Sequence, residues 1–124
     1  MTKIVRSKDC SNSPKNQLVE NLAVALVMGD HRTVSQLVTD NIYWSIIGNE
    51  AIKGRGAVLQ ALPVVNDTPE ATLTVLHVVT HGKAGAVNGT FQHPAGSMSF
   101  CEVFEFSNAK GTSVSRISSY RIKG

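Results

Sequence analysis

The stretch "FCEVFEF", residues 100–106, sets two carboxylates among three phenylalanines. Side chains alternate across a β-strand, so Phe100, Glu102, Phe104 and Phe106 share one face, while Cys101, Val103 and Glu105 share the other. A carboxylate buried in an aromatic row has its charged form disfavoured and its pKa raised, the condition for a general acid or base near neutrality. The bland alternatives are a wet strand face or a structural pairing. Arg116 is the expected partner. Pairing Phe106 with Thr112 across the next hairpin sets Glu102 opposite Arg116, and a slip of one residue moves Arg116 to the other face. The turn "NAKG" can carry a bulge, so both registers stay open. Such a pair is as readily a buried structural ion pair as a catalytic one.

His77 and Asn88 are the second constellation. A hairpin turn at Gly82-Lys83 sets His81 opposite Ala84 and therefore His77 opposite Asn88. A His–Asn pair on an apolar face can orient a carbonyl or hydroxyl ligand, and the imidazole can exchange a proton near pH 7. The alternative is a core histidine satisfied by the amide. Trp44 offers a flat wall to a ring, Phe104 lies on the Glu102 face, and Tyr120 can donate a hydrogen bond; simple packing is the competing use of each. His31, His81 and His93 fall at a helix start or beside turns. No metal-ligand spacing emerges, and no metal site is expected. Gly82, Gly85 and Gly89 precede no helix and so form no phosphate loop.

These residues need elements to position them. Residues 1–12 read as a flexible leader, and 13–124 as one domain. Ser13-Pro14 is a helix start, a hydroxyl cap with proline at the first helical position. Leu18, Leu22 and Leu26 then recur at i+4 until Gly29, and Asp30 can cap a shorter second helix. "NIYWSII" reads as a strand, and a short helix runs from about Gly56 to Leu62, stopped by Pro63. Four strands follow, at about 71–80, 84–93, 97–106 and 112–122. The predicted order is ααβαββββ, an α+β fold with three N-terminal helices packed on a strongly curved antiparallel sheet. A cone of this kind, imperfectly filled, holds a pocket.

The chain has 124 residues, enough for one substantial core, and its 42% hydrophobic and 17% charged composition is that of a folded globule. A net charge of +3, scattered rather than in runs, gives no footprint for nucleic acid. The apolar run "LVENLAVALVM" is too short and too interrupted to span a membrane, and "MTKIVRSKDC" lacks the apolar core of a secretory signal. Two cysteines are too few for a disulfide framework, so Cys10 and Cys101 are expected as free thiols in a cytoplasmic protein.

The element order, the passage "MGDHRTVSQLVTDNIYWSI" and the passage "IKGRGAVLQAL" resemble the nuclear transport factor 2-like superfamily, its SnoaL-like branch in particular, over roughly residues 13–123. The resemblance implies a cone-shaped, cystatin-like α+β barrel, a pocket between sheet and helices, and homodimerisation through the outer sheet face. Members include polyketide cyclases, ketosteroid isomerases, epoxide hydrolases, dehydratases and proteins without known activity. Where isomerase-like members carry an aspartate base, this chain has Ser45, which cannot abstract that proton unaided; Asp40 lies at the strand's lip. No aspartate falls in the four long strands, so cyclase-like and hydrolase-like pairs are also incomplete. The expectation is a small-molecule pocket protein for a largely apolar ligand. It either binds the ligand or acts on it without cofactor as an isomerase, dehydratase, cyclase or hydrolase. Glu102, Arg116 and His77 would be catalytic, and Trp44, Asn88, Phe104 and Tyr120 ligand-binding. The alternative is a non-catalytic interaction or dimerisation module that uses the outer sheet face.

Overall fold

The computed structural model describes residues 1–10 and 13–124; residues 11 and 12, the end of the expected leader, lie outside the described residues. In chain order the elements are β1 (Lys3–Val5), α1 (Pro14–Met28), α2 (His31–Leu37), β2 (Val38–Ile46), β3 (Ile52–Lys53), α3 (Arg55–Ala61), β4 (Thr72–His81), β5 (Ala84–His93), β6 (Gly96–Phe106) and β7 (Val114–Lys123). One seven-stranded sheet runs β1-β4-β5-β6-β7-β2-β3, and its two ends do not join. The three helices are as expected. The sheet, expected to be antiparallel, is mixed, because β1 pairs parallel with β4 and β2 pairs parallel with β7. The strands β1 and β3 are additions to the expected order.

Local chemistry explains the helix ends. The Ser13 hydroxyl accepts from Asn16 N–H at 3.2 Å, and Asp30 accepts from Thr33 N–H at 3.2 Å. Gly29 closes α1 at φ 71°, and a Cβ there would meet the Pro63 carbonyl oxygen at 2.0 Å. Both the left-handed backbone and the close approach of the loop after α3 require glycine.

Residues 6, 7 and 9 of the expected leader are hydrogen-bonded to the domain. Glu20, buried on α1, binds Arg6 at 3.1 Å and Ser7 N–H at 2.9 Å, while Asp9 accepts from Val78 N–H at 3.0 Å. These carboxylates draw the first residues onto the β4 edge, which satisfies backbone groups that a bare edge would leave exposed.

Alternation decides what the helices cover. Val87, Phe100, Glu102, Phe104, Phe106, Ile117, Ser119 and Trp44 all point to the helix-covered face and are buried against Leu22, Leu26 and Val34. The opposite, outer face leaves Leu76, Val79, Tyr120 and Ile122 exposed.

Candidate functional site

Glu102 is completely buried on the helix-covered face, in the aromatic row where the alternation put it. Its partner is Arg121 rather than Arg116. Arg121 donates to Oε1 from Nη2 at 2.7 Å and from Nε at 3.2 Å, and Oε2 has no hydrogen-bond partner. The reason is register. A shift between Glu105 and Phe106 makes Phe106 pair with Val114, which sets Glu102 opposite Ser119 and Phe100 opposite Arg121. Arg116 falls opposite Glu105 on the outer face, 3.5 Å from its carboxylate and against the Tyr43 ring.

Two groups complete the network. The Trp44 indole N–H donates to Ser119 Oγ at 2.8 Å, and the Arg121 guanidinium lies 5.7 Å from the Trp44 ring centroid. Burial pushes the Glu102 carboxyl above the usual carboxylate range, against the opposing pull of the Arg121 charge and the neighbouring Ser119 hydroxyl. Arg121 keeps 20% of its side chain exposed, so one end of this buried pair reaches water. Phe104 lies beneath it as core.

The remaining predicted residues gather on the other side of the sheet. His77 does pair with Asn88, as the two-residue turn required, but the pair faces outward. Asn88 is opposite Cys101, and Cys101 is opposite Tyr120, so one row crosses four strands on the face away from Glu102. A bulge after Val75 adds Leu76 to this surface, and His77 is 75% exposed there, 3.9 Å from Asp9. These residues line an apolar groove of about 510 Å3, in which Asn88 Oδ1 is buried without a partner. Burial and the Glu102 charge push the Cys101 thiol up, so it is no thiolate nucleophile at neutral pH. Ser45 alternates with Trp44 and also points away from Glu102, and Asp40 is tied to Arg55. The structure therefore divides the seven predicted residues. Glu102, Trp44 and Phe104 lie on the helix-covered face, and His77, Asn88, Arg116 and Tyr120 on the outer one.

Arg121, Ser119 and Lys123 escaped the sequence reading. All three share the β7 face of Ile117, and the signal for them was the parity of that strand once its register was known.

At the strand ends of the helix-covered face lies a cavity of about 440 Å3 lined by Val64, Val65, Phe91, Met98, His93 and Lys123 among others. Met98 pairs with Lys123, one ladder step from Phe100–Arg121 and two from Glu102–Ser119. Two such steps span about 13 Å. A larger cavity, about 590 Å3, lies between the leader, α1 and α2, but its charged groups are already engaged: Arg6 with Glu20, Asp30 with Thr33, Asp67 with Thr2. Among the described residues no three His, Cys, Asp or Glu side chains are placed to hold a metal, and no helix is long and apolar enough to cross a membrane.

No protein-family model matches this chain, and no curated protein sequence matches it. Solved structures do. An NTF2-like protein of unknown function from Cytophaga hutchinsonii ATCC 33406 is 23% identical over 87% of this chain and 99% of that one, with a TM-score of 0.64. A candidate ketosteroid isomerase from Kribbella flavida DSM 17836 is 18% identical over 89% and 78% of the two chains, with a TM-score of 0.68. A candidate SnoaL-like polyketide cyclase from Shewanella denitrificans OS-217 is 12% identical over 90% and 92%, with a TM-score of 0.70.

Proposed function

We propose that this chain, which carries the nuclear transport factor 2-like fold, is a cytoplasmic small-molecule pocket protein of the SnoaL-like type. It takes a largely apolar ligand at the strand ends of its helix-covered face, between β5, β6, β7 and the loop that follows α3. The observation that carries this reading is Glu102: a fully buried carboxylate held through one oxygen by an arginine that itself reaches water, with at most the Ser119 hydroxyl near its second oxygen. A group that costs so much to bury is retained for structural specificity or for a ligand, and the oxygen that Arg121 leaves unbound favours the ligand. Trp44 and Phe104 pack beside Glu102 as core, and Phe91 and Met98 supply the apolar wall of the cavity. Arg121 takes the part expected of Arg116, while Arg116 and His77 belong to the other face.

If the ligand is transformed, its inner end has to extend the two ladder steps, about 13 Å, from the cavity to Glu102, which would exchange the proton while Arg121 steadies the charge that develops, and this is cofactor-free chemistry. The test is titration with a neutral apolar fluorophore, N-phenyl-1-naphthylamine. Saturable binding near one site per chain is expected, weakened at least about tenfold by Met98→Trp, which fills the cavity. Absence of saturable binding overturns the reading. Glu102→Gln separates the two forms: an enzyme loses turnover with probe affinity nearly unchanged, and a binder changes affinity only.

A second reading, homodimerisation through the outer face, is favoured by the exposed Leu76, Val79, Tyr120 and Ile122, which form an apolar patch on that face. The strands β4 to β7, of 10, 10, 11 and 10 residues, present a face of roughly 19 by 33 Å, or about 1,200 Å2 between two copies, the low end for a specific interface. Sedimentation of the wild type should give a dimer and Val79→Asp a monomer; a wild-type monomer at high micromolar concentration sinks this reading.

A further inference from the structure

We infer that the ligand of the strand-end cavity is an apolar monocarboxylate whose carboxylate is held by Lys123; this rests on the pocket reading above. The cavity's apolar surface comes from Val64, Val65, Phe91 and Met98, and Lys123 is the one lining residue with a fixed charge. No acidic side chain lines it. Arg121, one ladder step deeper on the same strand face, is already balanced by Glu102, so the charge that remains at the mouth belongs to Lys123. Its ammonium has no ion-pair partner among the described residues. The nearest acid in the bordering loop, Asp67, is turned to the Thr2 N–H. The mouth is thus electrostatically complementary to one anionic group beside an apolar body.

The loop that supplies Val64 and Val65 is anchored beside this cavity. The Ala95 N–H donates to His93 Nδ1 at 3.0 Å, which places the proton of the neutral ring on Nε2, facing the Asn66 carbonyl oxygen at 3.4 Å. The loop is therefore tied to the β5–β6 turn at the rim of the cavity that Lys123 also lines. A straight or ring-bearing acid would lie along Phe91 and Met98 with its carboxylate at the exposed end.

The experiment is displacement of N-phenyl-1-naphthylamine by decanoate and by decanol, probes of equal chain length, at low ionic strength. Decanoate is expected to bind at least about fivefold more tightly than decanol. Lys123→Gln is expected to bring the two affinities together by weakening decanoate alone, and Lys53→Gln, on the far edge strand, to leave the ratio unchanged. Decanol binding as tightly as decanoate, or a ratio that survives Lys123→Gln, overturns the inference while the pocket reading stands. A chain that does not bind the fluorophore overturns both.

Discussion

Replacing Arg121 with methionine will destabilise the protein by about 3–5 kcal/mol at neutral pH, because it strands a buried carboxylate without its counter-charge. The Glu102 carboxyl already titrates above the usual carboxylate range because of burial, and the Arg121 charge is the largest influence opposing that rise. Removing it lifts the carboxyl further. The sign follows from proton linkage: above about pH 4.3 the unfolded chain releases this proton while the folded chain keeps it, so stability falls as pH rises through the elevated folded value. The variant should therefore lose least near pH 4 and most near pH 8. The wild type should show a weaker slope of the same sign. Adding Glu102→Leu to Arg121→Met should recover most of the loss, since an apolar pair of similar size is often as stable as the ion pair it replaces. Urea unfolding of all three chains across pH 4–8 measures this. A loss under about 1 kcal/mol, or one independent of pH, contradicts the geometry described.

Trp44→Ala should cost about 3–5 kcal/mol, the range for deleting a large aromatic side chain from a closed core. Trp44 is fully buried, and its ring also forms the surface against which the Arg121 guanidinium rests. Trp44→Phe divides the effect. It keeps most of the apolar volume but removes the indole N–H that serves Ser119, and should cost about 1–2 kcal/mol. Trp44 is the sole tryptophan, so fluorescence cannot follow these variants and thermal melts by circular dichroism are the measure. Equal losses for the two substitutions would mean that the hydrogen bond, not the packing, dominates.

The parts of the fold that were legible in the sequence were those fixed locally. Ser13, Asp30 and Gly29 mark helix ends through their own side chains or lack of one. The Gly82-Lys83 turn allows one register, so the pairing of His77 with Asn88 followed from it. The next turn was not so fixed: strands at 84–93 and 97–106 leave three residues between them, whereas the structure leaves two, pairing His93 with Gly96 and Asn88 with Cys101. That one-residue difference places the His–Asn pair on the face opposite Glu102. The choice of Arg121 over Arg116 was not available, because the irregularity before β7 is set by the Asn108 side chain bonding the turn and by Ser107 pairing with Ser113. Nor was β1, three residues inside a polar segment whose partner strand lies far along the chain. Its anchor, Glu20, looked like an interruption of an apolar helix face.

The parallel pairing of β2 with β7 has a consequence for how the protein is made. The hydrogen bond from Trp44 to Ser119 joins residues 75 positions apart, and the whole Glu102 network straddles that junction. Every strand between them is synthesised before β2 gains this neighbour. Until then Ile42, Trp44 and Ile46 present an apolar strand with an open edge, the kind of segment that pairs with other chains. Loop closure over such a distance is slow compared with forming the β4–β5 and β5–β6 hairpins. The nascent chain thus carries an association-prone strand early and shelters it late, and the burial of Trp44 and Glu102 is completed in the same step that removes the hazard.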